Sequence, residues 1–520
     1  MPSRSLLLTP LVAALLSPLA ASATMQTDLT SRGPFADPPR KQDTPLMCGN
    51  EPMPKPNEGH LVFCALDRGV ARDTGQDQGP AIRAALAGLS GERAGLFFPM
   101  GSYLIEGDLP LSSGHLIMGS SQARTHFINP GHKTSQIVSA LRATGNEHIV
   151  VERLVLDNIV VYLEDTSKAV VRFNGFRQTT STDAQIRLRK AGGVVAHNLL
   201  WREAENPGSG IALEQSHGVR IDGNGIGVTD PEPAGNEDPH IRELIRDMRA
   251  LRGRDGSVPL PAPAGHFREA VDVFESSWTQ VTGNHLSLSA RQPGTDRFSN
   301  AMAFRKSGNA TVQGNRLVDA DPVPGHAPRA LLLSSVQDMA IIDNTFKSVP
   351  LRIEASPGGM PPRPNKRITV VSNRFYDATG STNQPVTGAG PDDTTKDDIR
   401  FVDNLFENND PTLCMLLAPV PPIPDDTFGE SGNSMPGGLP ARICHLRSLA
   451  PTLAVQEGRG SQDDPPAPRT SDASDNQPAV PPTPPSTDEP SPAEEAQPRW
   501  HEFISNVFWG VVDWVKARFA

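Results

Sequence analysis

Between about residues 145 and 410 the chain alternates short apolar runs with polar turns, and the alternation repeats. Four stretches align without gaps: Gly210–Asn224, Ala270–Asn284, Ala301–Asn315 and Ala330–Asn344. Each closes on an asparagine followed two residues later by Ile226, Leu286, Leu317 or Phe346, and weaker copies close at Asn198, Asn373 and Asn404. The spacings between these asparagines are 26, 60, 31, 29, 29 and 31 residues, the long one holding an insertion at 229–267. A period of this size built from strands too short to bury a face alone predicts a solenoid. Two strands before each asparagine and a third after it suit a three-sided coil, and the leucine spacing of leucine-rich repeats is missing. Asparagine suits the tight turn because it tolerates the left-handed conformation, and stacked asparagines can bond to one another along the axis. Strand alternation then points Ile211/Leu213, Val271/Val273, Met302/Phe304 and Leu331/Leu333 inward. The predicted fold is all-β, a right-handed parallel β-helix.

Composition changes this picture at the two ends. Arg4, the apolar run Leu6–Leu19 and the small residues Ala21-Ser22-Ala23 have the layout of a secretory signal over 1–23, too short to span a membrane comfortably. The expected location is the periplasm or outside the cell. Export and an even cysteine count argue for disulfides, and the shortest loops pair Cys48 with Cys64 and Cys414 with Cys444. Residues 461–499 hold 11 Pro, eight acids and two Arg and read as a disordered linker. In 500–520, Phe503, Val507, Val511, Trp514 and Val515 fall on one helical face, with few cations opposite. Such an amphipathic helix would dock on a partner protein or a membrane surface and hold the protein at the envelope. The expected organisation is therefore an extension over 24–64, the β-helix over 65–415, a C-terminal cap region over 416–460, the linker and the helix. A net charge of −11 offers no basic field for nucleic acid.

The N-terminal part carries a resemblance. Asp73-Thr-Gly-Gln-Asp77 precedes the short amphipathic run Ala81–Leu86. Then come Leu96-Phe-Phe-Pro-Met-Gly-Ser-Tyr-Leu-Ile105 and Leu116-Ile-Met-Gly119. This order resembles the opening of the pectate-lyase superfamily: an Asp-rich loop, a capping helix and an F-P-x-G-x-Y strand. The resemblance covers about 67–410 and implies a β-helix with its groove on the strand face that opens each coil. That fold hosts lyases, hydrolases, epimerases and tailspikes, so it does not choose a reaction. The Asp and Gly signatures of polygalacturonases are absent from the aligned strands. Gly390-Pro-Asp-Asp393 lies in a polar loop. Ala303-Phe-Arg-Lys-Ser-Gly308 only distantly resembles the Arg-His strand of the lyases that include chondroitinase. Asp238-Pro-His240, inside the insertion, resembles a tripeptide of the mannuronan C5-epimerases, although there it follows an aromatic-Gly-Phe strand.

Candidate chemistry follows from the alignment. The outward or edge columns read Ser209, Glu269, Asn300, Arg329; then Ala212, Asp272, Ala303, Leu332; then Glu214, Phe274, Arg305, Ser334. Acids and arginines mixed at coil spacing suit an acidic sugar: arginine holds a uronate carboxylate and stabilises its enolate-like form, while a base removes the C5 proton. The expected catalytic residues are Glu269, Asp272, Arg305 and Lys306. Glu214, Arg268, Arg329 and Arg352 flank them as substrate-binding residues, with Asp238, His240 and His266 overhanging from the insertion. No cofactor is required, calcium on Glu269 and Asp272 being the one metal the pair suggests. Two functions stay open: a lyase or C5-epimerase acting on an acidic polysaccharide, and a non-catalytic β-helix that binds a glycan.

Overall fold

The computed structural model describes residues 46–445 apart from 55–58, 90–92, 121–123, 131–138, 179–182, 203–207, 229–266, 289–299, 321–328, 355–364, 377–385, 389–395, 408–415, 419–427, 436–438 and 442. By contacts the chain divides into two units, Met1–Glu457 and Gly458–Ala520, and every described residue belongs to the first. The signal segment, the insertion with Asp238, His240 and His266, Cys414, the linker and the terminal helix lie outside the described residues.

Within them the chain winds through three sheets, parallel apart from the final antiparallel pair Ser434–Met435/Leu439–Pro440 of the second, and visits them in strict rotation from Ala94–Phe98 to Ser434–Met435. The first sheet has 13 strands, from Leu61–Cys64 to Phe428–Ser431, and the second 13, from Gly101–Leu104 to Leu439–Pro440. The third has 12, from Leu109–Pro110 to Ile443–His445. Each coil contributes one strand to each sheet; Val150–Glu152, Val155–Asp157 and Ile159–Glu164 make one complete turn. The fold is a right-handed parallel β-helix. It is longer than the sequence indicates at both ends. Leu61–Cys64, in the expected extension, already pairs in parallel with Ala94–Phe98. Beyond 415, Leu416–Ala418 pairs with Ile443–His445, so the expected cap region carries further coil. Among the described residues no helix is long and apolar enough to cross a membrane.

The core is the interior of the coil. Ile211, Val271, Met302 and Leu331 are each fully buried, as are Val273, Phe304 and Leu333 one strand pleat further on. Phe346, Phe375 and Phe406 stack face to face with centroids 4.6 and 4.9 Å apart. At the N-terminal end the helix Gly79–Ala87 places Ile82, Ala85 and Leu86 in the same core. Pro80 starts the helix, and the Asp77 carboxylate accepts from Gly79 N (2.8 Å) and Glu106 N (2.9 Å). Asp73 likewise accepts from Ser102 N (2.8 Å), so the Asp-rich loop ties the cap to the second sheet. The Cys48–Cys64 disulfide is present and joins the hairpin Met47–Cys48/Glu51–Pro52 to the first strand.

Between the first and second sheets the asparagines stack. Each Nδ2 donates to the next Oδ1 from Asn174 through 198, 224, 284, 315, 344, 373 and 404 to Asn433, every link 2.9–3.0 Å. The ladder extends one residue beyond the sequence reading at each end. The left-handed residue is not the asparagine, however, but the one before it. Phe173, His197, Asp343, Ser372 and Asp403 sit at φ 53–56°, and Gly223, Gly283, Gly314 and Gly432 at φ 59–67°. Asparagine occupies its position because its amide both accepts and donates along the axis while staying buried.

Candidate functional site

The third sheet carries the charge cluster, and its register matches the sequence alignment. Ala212, Asp272, Ala303 and Leu332 stand side by side, as do Glu214, Phe274, Arg305 and Ser334; Glu269 stands beside Asn300. Because Val271 and Val273 point inward, Asp272 is driven outward, and one strand over Arg305 is brought to it. The Arg305 guanidinium bridges the two acids, Nη2 to Glu269 Oε1 at 2.7 Å and Nη1 to Asp272 Oδ1 at 2.5 Å. Arg268 closes the ring from the other side, Nε to Glu269 Oε2 at 2.6 Å and Nη2 to Asp272 Oδ2 at 3.7 Å. The Ser209 hydroxyl donates to Glu269 Oε2 at 3.4 Å.

The two acids differ in environment. Glu269 is nearly inaccessible and saturated by donors. Asp272 retains 15 % side-chain exposure. Burial, with the Glu269 charge adding to it, pushes its carboxyl up to about 6, against the opposing pull of Arg305, Arg268 and Arg187. A carboxyl that titrates near neutrality beside one saturated by donors is a usable proton carrier. Behind the cluster Arg202 is fully buried on the second sheet, donating to the carbonyls of Asp183 and Ser209. Burial lowers its guanidinium to about 9, with Arg268 adding to the shift and Asp183 opposing it.

The remaining sequence candidates are spread more widely. Lys306 does not point along the strand. It occupies the left-handed turn after it (φ 52°), with Nζ 3.4 Å from Glu275 Oε1 and 5.4 Å from the Phe274 ring centroid. Glu214 pairs with Arg187 (2.8 Å) and Arg189 (3.6 Å). Arg352 pairs with Glu354 at 2.7 Å. Arg329 is buried, Nη1 3.6 Å from the equally buried Asp319, because it precedes its strand and the pleat rule does not reach it. Glu269 and Asp272 do not fit a calcium ion: two guanidinium groups hold the oxygens that a cation needs in number. Among the described residues no group of three or more His, Cys, Asp or Glu comes together as metal ligands. Sequence reading passed over Arg142, Tyr162 and Arg187, which share the Asp272 column. The apolar–polar alternation of Ile159–Glu164 and Ile186–Arg189 was the signal for them.

Comparison with known proteins agrees with the architecture. A family model described as rhamnogalacturonase A/epimerase, pectate lyase-like, matches residues 62–229. That span holds Tyr162, Arg187 and Glu214 and stops short of Glu269. No curated protein matches the chain. Among solved structures it is similar to PfbA, a surface adhesin of Streptococcus pneumoniae. Identity is 12 %, coverage 74 % of this chain and 92 % of that one, and the TM-score 0.50. It is also similar to the A-module of the mannuronan C-5 epimerase AlgE6 of Azotobacter vinelandii, with 14 % identity, coverage of 72 % and 99 %, and a TM-score of 0.43. The described residues form a parallel β-helix, and its residues 62–229 match a pectate-lyase-like family model.

Proposed function

We propose that this is an exported carbohydrate-active protein that acts on a uronate-containing polysaccharide at the outward face of the third sheet, by β-elimination or C5 epimerisation. The observation that carries the reading is the bridged pair: Asp272 poised near neutrality and held with Glu269 on one arginine. The family model matched over 62–229, described as rhamnogalacturonase A/epimerase, pectate lyase-like, supports the same substrate class. A uronate carboxylate is chemically equivalent to that of Asp272. It can take the place of Asp272 on Arg305 and Arg268, and Asp272 can then exchange the C5 proton. The arginines hold the substrate carboxylate and stabilise charge that spreads into it when the proton leaves. Departure of the C4 oxygen, which takes up the proton held by Asp272, breaks the C4–O bond and yields an unsaturated uronate; return of a proton to C5 from solvent water on the opposite side yields the C5 epimer, Asp272 releasing its proton to solvent. Lys306, paired with Glu275 in the turn, is not needed for this step. Incubation with polygalacturonate, alginate and glycosaminoglycans tests it, with ultraviolet absorbance reading elimination and NMR of the polymer reading epimerisation. No change in any of them overturns the reading.

One observation favours the second reading, a glycan-binding β-helix without turnover. Two acids and two arginines cancel within the cluster, so no charge is left over for a substrate unless exchange occurs. Retained binding in Glu269→Ala and Arg305→Ala, with no product from the unaltered protein, decides for it.

A further inference from the structure

Upstream of Asp272 its column holds a second charged group. The register runs from Arg142 to Tyr162, Arg187, Ala212 and Asp272 on successive strands. The strand of Tyr162 lies between those of the two arginines. The guanidinium carbon of Arg142 is 4.6 Å from the Tyr162 ring centroid and that of Arg187 5.8 Å. In the neighbouring outward column Arg189 lies between Glu164 and Glu214. Acids accompany these cations: Arg142 Nε is 2.7 Å from Asp108, Arg187 Nη2 2.8 Å from Glu214 and Arg189 Nη1 3.2 Å from Glu164.

Arg187 and Arg189 are more exposed than the acids they pair with on the neighbouring strands. Side-chain exposure is 39 % for both Arg187 and Arg189, against 28 % for Glu214 and 23 % for Glu164. A guanidinium stacked by its face on an aromatic ring keeps its edge N–H groups for planar anions, and stacking reduces the rotamer freedom lost on binding. Neighbouring strands are about 4.8 Å apart, close to the length of one pyranose unit, so a polymer lying along the axis meets one coil per sugar. The strand of Tyr162 is three spacings from that of Asp272, roughly 14 Å. The two strands of this interval present Arg187 and then the small Ala212, so the column is open beside Asp272.

We infer that Arg142, Tyr162 and Arg187, with Arg189 beside them, form an anion-binding subsite for an acidic glycan whose chain continues to the Asp272–Glu269 pair. This inference rests on the carbohydrate reading above and adds the part of the surface that selects charge. The ligand group is a carboxylate or a sulfate ester on the sugar.

The test is affinity electrophoresis of the full chain in gels containing sodium polygalacturonate, dextran sulfate or neutral dextran. The unaltered protein is expected to be retarded by a charged polymer and not by dextran. Arg187→Gln and Arg142→Gln are each expected to weaken that retardation about tenfold, the order of one charge-assisted hydrogen bond. Arg187→Lys, which keeps the charge and loses the planar edge, is expected to recover part of it and guards against a folding defect in the glutamine variant. Retardation by polygalacturonate assigns the group to carboxylate, and by dextran sulfate alone to sulfate. Equal retardation of variants and unaltered protein, or none by either charged polymer, overturns the subsite. The two proposals fail separately. Loss of binding in Arg187→Gln with no polymer ever converted leaves the subsite standing and removes the catalytic reading. Turnover with unchanged binding in the variant does the reverse.

Discussion

The turn between the first and second sheets and the outward face of the third repeat on the same coil spacing, yet they are filled in opposite ways. At the turn one residue type recurs from Asn174 to Asn433, because every coil asks for the same buried donor and acceptor. On the outward face the column changes at each step, from Arg142 through Tyr162, Arg187, Ala212 and Asp272 to Ala303, Leu332 and Arg352. Periodicity marks what holds the solenoid together; the break in periodicity marks where its chemistry can reside.

The comparison is broken most severely at the ladder. Asn284 accepts from Asn224 N and Nδ2, both at 2.9 Å, and donates to Asn315 Oδ1 at 2.9 Å and Ile221 O at 3.0 Å. Asn284→Ala leaves several of these buried groups unmade at about 1–3 kcal/mol each, so a loss of about 4 kcal/mol is expected in urea unfolding. Reducing Cys48–Cys64 is expected to cost about 3 kcal/mol by chain entropy, read as a lower unfolding midpoint in reductant. Asp272 contributes a pH dependence. Its folded-state pKa of about 6 lies above the unfolded value of 3.8, so between these pH values the folded chain holds a proton that the unfolded chain has released. Stability therefore falls as pH rises from about 4 to 6 and levels off above, and Asp272→Asn is expected to flatten that component when unfolding midpoints are compared across the window. The smallest effect belongs to the exposed pair Arg367–Asp338, 2.5 Å apart: Arg367→Ala is expected to change stability by less than about 1 kcal/mol.

Much of this was legible in the residues. The asparagine spacing supplied the coil, and counting back from each asparagine put Asp272 beside Ala303 and Glu214 beside Phe274, as the strands are paired. Three things were not legible. Alternation describes side chains inside a strand, and Arg329, which precedes one, turned into the core beside Asp319. A left-handed residue closes the turn after the strand, and Lys306, expected beside Arg305 at the site, occupies that turn and pairs with Glu275 instead. Arg187 stands 11 residues before Asn198 where Ala212 and Asp272 stand 12 before their asparagines, and Tyr162 precedes Asn174, one rung before the first copy aligned, so the aligned repeats did not bring these two into the Asp272 column.

On the proposed function, the outward face of the third sheet moves a proton on a uronate through Asp272. The most direct measurement is the pH profile of polymer conversion by the unaltered protein and by Asp272→Asn, using whichever of polygalacturonate, alginate or glycosaminoglycan reacts. The unaltered profile is expected to show a limb near pH 6, and conversion by the variant to be reduced about 10²–10⁴-fold with that limb gone while polymer binding persists. A variant that converts polymer at the unaltered rate with the same limb contradicts it.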